Sequence, residues 1–147
     1  MKSLIILYVG IFALGCTAVQ NLQRIKFKYS VGGDGRIMKM SIPEFTNFYK
    51  ITAGGEGEEH RYVYADSSMI YITSMQGAGT VNQPLIAQDQ TLYNKRFSAD
   101  TAVMEGVDKN GNYWKEIKYY NVFYGYSNVP LTQKSLFDKA LNSVKIK

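Results

Sequence analysis

The chain has 147 residues, one cysteine, one histidine and a formal net charge of +5 at pH 7. Its length predicts one domain whose core can form without disulfides, and a single cysteine excludes an intramolecular disulfide framework. The positive charge is mild and spread along the sequence. Nucleic-acid binding needs a concentrated basic stripe in a compartment that contains nucleic acid, and the export signal described below argues against such a compartment, so we expect no nucleic-acid partner.

The N-terminal segment has the order of an export signal. Lys2 is followed by an apolar stretch from Leu4 to Leu14, and small residues stand just before Cys16. A helix over that stretch would span about 16 Å of a roughly 30 Å hydrocarbon layer, so a permanent transmembrane helix is the weaker interpretation. We therefore expect residues 1–15 to be a cleaved signal peptide.

The end of this segment, Ala13, Leu14, Gly15 and Cys16, resembles the lipobox of bacterial lipoproteins. The resemblance implies that a signal peptidase recognises Ala13, Leu14 and Gly15, and that the Cys16 thiol carries diacylglycerol. Ordinary secretion is the alternative, since small residues at 13 and 15 also permit simple cleavage. Lipidation is favoured because a lone thiol would otherwise be a reactive liability in an oxidising compartment.

Residues 16–22 would then be a lipidated N-terminus and short tether, followed by a single globular domain over 23–147. The residues after Cys16 are Thr17 and Ala18. An Asp directly after the cysteine would imply a different destination. By resemblance to the lipoproteins of Gram-negative bacteria, this implies the outer membrane, and we expect its periplasmic face. Two or more acyl chains would hold the protein stably on the bilayer.

The first part of the domain predicts a β-hairpin. Residues 23–31 alternate between apolar and polar, 32–35 form a glycine-rich turn, and 37–42 return as a partner strand. Arg24, Lys26 and Lys28 share one side of the first strand. We interpret them as charges that protect an edge strand from pairing, with contact to anionic lipid headgroups as the alternative.

The middle of the chain is less regular. Phe45, Phe48, Tyr49 and Ile51 have a partly helical spacing, and Gly54 to Glu59 predict a loop. A hairpin is predicted from 61–64 and 69–74, and a long extended loop from Gly77 to Asp89.

The last third predicts strands over 101–107 and 112–126, joined at Asn110 and Gly111, and then an amphipathic helix that Thr132 caps and that ends near Ser143. The predicted class is α+β, a twisted antiparallel sheet in which strands dominate, with the C-terminal helix packed on one face. The closing strand and helix resemble small envelope lipoproteins of the PsbP-like class, and this resemblance supports the same fold class.

Residue types with catalytic potential do not fall into a recognisable pattern. His60 follows Glu58 and Glu59, but adjacent strand residues point to opposite faces, so we predict a solvated acidic loop and no metal site. Asp66 and Asp108 are typical turn residues. We expect no cofactor and no enzymatic activity; a small hydrolase that uses His60 is a minor alternative, which an unchanged turnover after His60→Ala would exclude.

Aromatic residues suggest how the domain acts. Tyr and Trp carry binding energy at protein interfaces, and Tyr113, Trp114, Tyr119 and Tyr124 are the candidates for an exposed partner-binding cluster. The leading hypothesis is a non-enzymatic envelope lipoprotein that binds another protein, as an accessory subunit or as an inhibitor or immunity factor. The alternative is a binder of a small apolar or envelope-derived ligand between sheet and helix, which native mass spectrometry of the purified protein would test.

Overall fold

The computed structural model describes residues 21–31, 34–53, 57–75 and 80–147. These ranges form nine strands and three helices: β1 (Leu22–Val31), β2 (Asp34–Pro43), β3 (Asn47–Ala53), β4 (Gly57–Val63), β5 (Met69–Thr73), α1 (Gln83–Ile86), α2 (Gln90–Ser98), β6 (Thr101–Val107), β7 (Tyr113–Tyr119), β8 (Val122–Val129), α3 (Leu131–Asn142) and β9 (Lys145–Ile146). The predicted α+β class, in which strands dominate, is confirmed.

The strands form two antiparallel sheets. The smaller sheet has the order β1-β2-β9, and the larger has the order β3-β4-β5-β8-β7-β6. Every neighbouring pair is antiparallel. Strands β3 and β6 are therefore the two edges of the larger sheet.

One side of the larger sheet is covered by the smaller sheet and by α3. Phe27, Met38, Ile72, Tyr126 and Phe137 are all fully buried in this core, and they come from both sheets and the helix. The predicted apolar stripe of the C-terminal helix is confirmed, because its remaining residues are buried or pack against the same core: Leu136, Ala140, Leu141 and Val144.

The other side of the larger sheet is covered over β6 and β7 by α1 and α2. A second, smaller core forms there from Ile86, Ala102, Met104 and Trp114. Asp89 begins α2 by accepting hydrogen bonds from the Thr91 and Leu92 amides at 2.8 and 3.2 Å. This arrangement meets the preference of helix N-termini for an Asp cap.

A buried ion pair connects α2 to the sheet beside this second core. Arg96 Nε donates to Glu116 Oε1 at 2.9 Å, and both side chains are buried. The same carboxylate accepts hydrogen bonds from the Tyr71 hydroxyl, at 2.5 Å, and from the Thr80 hydroxyl. The Arg96 guanidinium also lies 4.5 Å from the centre of the Phe123 ring. Burial and the neighbouring carboxylate raise the pKa of Tyr71 well above its ordinary value, so its hydroxyl stays a donor.

Strands β7 and β8 correct the prediction of one long strand over 112–126. The chain reverses at Tyr120 and Asn121, and Tyr119 pairs with Val122. Tyr120 takes a φ of 52°, which an aromatic residue rarely adopts, and its amide donates to the Asp100 carbonyl at 2.6 Å. Because Tyr is not a turn-forming residue type, the sequence pattern hides this turn.

Farther along this hairpin the two strands approach very closely. A Cβ atom at Gly125 would overlap the Lys115 carbonyl oxygen and approach the Tyr71 hydroxyl. The register between β7 and β8 is irregular between Tyr113 and Lys115, on the strand that faces this glycine. Position 125 therefore has no room for a side chain.

Other predicted elements also need correction. The residues with helical spacing, Phe48, Tyr49 and Ile51, lie on strand β3, and residues 57–59 of the predicted loop belong to β4. The predicted loop from Gly77 to Asp89 contains α1, while residues 76–79 lie outside the described ranges. Pro130, and not Thr132, stands at the N-cap of α3. In the ranges described, no helix is both long and apolar enough to cross a membrane.

We predict that Glu116→Ala lowers the free energy of unfolding by about 3–5 kcal/mol, because it leaves the Arg96 charge buried without its partner. Chemical denaturation of the purified protein measures this change. The matched control is Glu105→Ala, which removes an exposed carboxylate 3.0 Å from Lys115 Nζ and should cost less than about 1 kcal/mol. Equal losses in both variants would contradict a special role for the buried pair.

Candidate functional site

Strand β3 presents an apolar edge. It pairs with β4 on one side and ends the larger sheet on the other. The side chains of Phe48, Tyr49 and Ile51 are 46%, 53% and 37% exposed. An edge strand of this kind offers unpaired backbone groups next to apolar side chains, which is the arrangement that accepts an additional strand. We call Asn47–Ala53 the β3 edge.

The two sides of the β3 edge differ. Phe48 lies on the side of the larger core, where its ring centre is 5.2 Å from those of His60 and Tyr62. Tyr49 and Ile51 lie on the opposite side, and their cross-strand neighbours are Arg61 and Glu59. A partner strand would therefore find an aromatic anchor on one face and a mixed apolar and charged surface on the other.

The charged residue of the β3 edge, Lys50, is already paired within the protein. Lys50 Nζ lies 2.6 Å from a Glu58 carboxylate oxygen on β4. The other Glu58 oxygen lies 3.1 Å from His60 Nε2. Free lysines discourage strand addition, and a lysine whose charge is directed toward its own sheet does so less.

His60 is packed among aromatic rings. Its ring centre lies 4.9 Å from that of Phe27, with the two rings nearly perpendicular. The contact with Glu58 is not aligned as a hydrogen bond, and Nδ1 has no hydrogen-bond partner among the described residues. Burial lowers the pKa of His60, and the nearby Glu58 carboxylate partly opposes this effect. The histidine is therefore neutral at pH 7.

The residues considered for a metal site do not converge. Glu58 and His60 share one face of β4, whereas Glu59 lies on the other face and forms an ion pair with Arg61. Across the described ranges, His, Cys, Asp and Glu side chains form no group of three that could hold a metal ion. The predicted acidic loop is thus a strand whose alternation separates these side chains.

The four candidate aromatic residues do not form one exposed cluster. Trp114 is buried in the smaller core and Tyr124 in the larger one. Tyr113 is half-buried, with its ring centre 5.7 Å from Lys134 Nζ on α3, and only Tyr119 is exposed. The physical reason is the two-residue period of a strand, which sends Tyr113 and Trp114 to opposite sides of β7.

Tyr119 instead contributes to a small aromatic recess. The recess has a volume of about 310 Å³ and is lined by Tyr29, Arg36, Tyr119, Tyr120 and Ile146. The rings of Tyr119 and Tyr120 meet edge to face at 5.0 Å. The space between sheet and helix, to which the alternative hypothesis assigns a small ligand, contains the side chains of the larger core.

The predicted lipidation site lies outside the described residues. This holds for Cys16 and for Ala13, Leu14 and Gly15 before it. The sequence patterns do not predict the β3 edge, because Phe45, Phe48, Tyr49 and Ile51 have a partly helical spacing. The alternation of Tyr49, Ile51 and Ala53 with Lys50 and Thr52 is the signal that favours a strand.

We predict that His60 makes the protein less stable as the pH falls from about 7 to about 5. Its pKa is lower in the folded chain than the ordinary value of 6.5. The unfolded chain therefore takes up a proton first, and the free energy of unfolding declines through this window. Denaturation curves across the window should show a smaller decline for His60→Phe than for the wild type. The same pH dependence in both would contradict this origin.

No family model matches the sequence, and comparisons with curated proteins and with solved structures give no match.

Proposed function

We propose that this protein is a non-enzymatic lipoprotein of the bacterial envelope that binds another protein through its β3 edge. The supporting observation is the exposure of Phe48, Tyr49 and Ile51 on a strand that, within the described ranges, has a neighbour on one side only. The partner would add a strand beside β3, so that main-chain hydrogen bonds supply affinity and side-chain contacts supply specificity.

The other edges of the two sheets are less suited to strand addition. Strand β1 carries the exposed charges of Arg24, Lys26 and Lys28. Strand β6 is occupied in part by α2, because Lys95 Nζ donates to the Val103 carbonyl at 2.9 Å. Exposed charges and covering elements are the usual protections of edge strands. Of these three described edges, β3 has the least of either protection, and the remaining edge, β9, is two residues long.

The energetics of such a contact are favourable. Burial of exposed aromatic and β-branched side chains against a partner strand stabilises the complex by about 25 cal/mol per Å² of apolar surface. Aromatic side chains such as Phe48 and Tyr49 lose little conformational freedom when they are immobilised. The β3 edge is also held in place before binding, since seven residue pairs fix its register with β4. These properties suit an accessory subunit or an inhibitor or immunity factor.

Anchorage would place this interaction at a membrane. The proposed acyl chains on Cys16 would hold the domain on the periplasmic face of the outer membrane, and the partner would be met there. Confinement to one surface raises the effective concentration of two proteins, so a modest edge contact would be sufficient.

Anchorage is tested by mass. We expect the mature polypeptide to begin at Cys16 and to carry a diacylglyceryl thioether, and we expect Cys16→Ser to lose both the lipid and the processing that depends on it. Intact-mass spectrometry of protein extracted from membranes measures both. A free thiol on a mature chain would overturn the anchor without affecting the β3 edge.

Binding is tested by crosslinking in intact cells. A photoreactive phenylalanine analogue at Tyr49 should give one discrete adduct, identified by mass spectrometry. Ile51→Lys should reduce its yield by about tenfold or more, because an unpaired charge would be buried on that edge.

The matched control for Ile51→Lys is Val103→Lys on the opposite edge, where the side chain is 46% exposed. This variant adds the same charge to an exposed β-branched position and should leave the adduct unchanged. Equal loss in both variants, or no adduct in any condition, would contradict the proposal.

A further inference from the structure

The outer side of the smaller sheet gathers positive charge. In the register of the sheet Lys26 is opposite Lys39, and Lys39 is opposite Lys145, so three lysines form a row across all three strands. The neighbouring residues Phe27, Met38 and Ile146 point the other way, into the larger core. The same outer side also carries the remaining members of what we call the basic face: Arg24, Lys28 and Lys147.

Among the residues that the structure describes, no acidic side chain neutralises the row. The alternation of β1, β2 and β9 places no Asp or Glu on it. None of the ion pairs found in the described ranges includes a residue of the basic face. Like charges directly opposite one another destabilise a sheet, so the row has a cost to folding that an external anion would remove.

Protection of an edge strand does not account for the row. That interpretation fits Arg24, Lys26 and Lys28 on β1, which is an edge. It does not fit Lys39, because β2 is the central strand and both of its sides are paired. Protection against strand pairing therefore does not explain a lysine at that position.

One end of the basic face is concave. A cleft of about 430 Å³ is lined by Arg24, Lys39, Ser41, Lys145 and Lys147, together with Ser143 at the end of α3. The Ser143 hydroxyl accepts a hydrogen bond from the Ser41 amide at 2.8 Å and donates one to the Ala140 carbonyl at 2.6 Å. These two bonds join the end of α3 to β2 beside the cleft. Guanidinium and ammonium groups around such a cleft are the groups that bind phosphate oxygens.

We propose that the basic face binds the phosphate groups of an anionic lipid surface. A membrane is favoured over a soluble anion because the charges extend across three strands and are not confined to the cleft. Position supports the same choice, since Leu22 at the start of β1 is at most about 21 Å of extended chain from Cys16. This last point rests on the proposed anchorage, whereas the charge row does not.

Vesicle binding of residues 21–147 tests the proposal without the anchor. This segment contains every described strand and helix and both cores. We expect it to sediment with phosphatidylcholine vesicles that contain about 30% phosphatidylglycerol, not with phosphatidylcholine alone, and to be released at about 0.5 M salt. The double variant Lys26→Gln/Lys39→Gln should bind about thirtyfold more weakly, which is about 1 kcal/mol per lysine at 1.4 kcal/mol per tenfold.

The matched control is Lys109→Gln/Lys139→Gln, which removes two exposed lysines from other surfaces and leaves the same net charge. If the control variant binds nearly as well as the wild type, the result supports the basic face. If it loses as much binding as Lys26→Gln/Lys39→Gln, net charge alone is responsible and the proposal is overturned. Absence of wild-type binding to anionic vesicles, including a case in which soluble polyphosphate binds instead, would also overturn it. Unfolding curves identify any variant that has lost its fold. None of these binding outcomes bears on the proposal for the β3 edge.

Discussion

The buried pair of Arg96 and Glu116 is the constraint on which the two-sided burial of the larger sheet depends. One side of that sheet is covered by extensive apolar surface from β1, β2 and α3. Within the described ranges, the other side is covered by two short helices and a small core. A buried charge is strongly destabilising without its partner. Arg96 on α2 must therefore stay beside Glu116 on β7, and this holds the helix over that strand. The hydroxyls of Tyr71 and Thr80 complete the carboxylate's hydrogen bonds and extend this connection to β5.

The two sheets therefore differ in the surfaces that they leave exposed. The helices occupy the β6 side of the larger sheet, and the β3 end has no equivalent cover in the part of the chain that the structure describes. The smaller sheet gives its apolar side to the core and turns a basic side outward. An apolar edge and a basic face therefore belong to different sheets, and a protein partner and a lipid surface could engage the molecule together.

Short-range patterns predicted much of the fold and little of the site. The alternation in residues 23–31, the Asn-Gly turn before β7 and the apolar stripe of α3 each specify structure through neighbouring residues, and all three are observed. The reversal at Tyr120 could not be predicted, because its residue type opposes the conformation that tertiary packing imposes. The basic face could be predicted only in part. The alternation of the first strand places Arg24, Lys26 and Lys28 on one side, but Lys39 and Lys145 are distant in sequence, and only the register brings them together.

The close approach at Gly125 has a consequence for how the molecule can vary. A Cβ atom there would overlap the Lys115 carbonyl oxygen, so a larger residue must push this segment of β7 away from β8. The next residue, Glu116, pairs with Gly125 and holds the buried charge of Arg96. Enlarging position 125 would therefore disturb the ion pair through the backbone. The space left by one missing methyl group keeps the buried carboxylate in place beside α2.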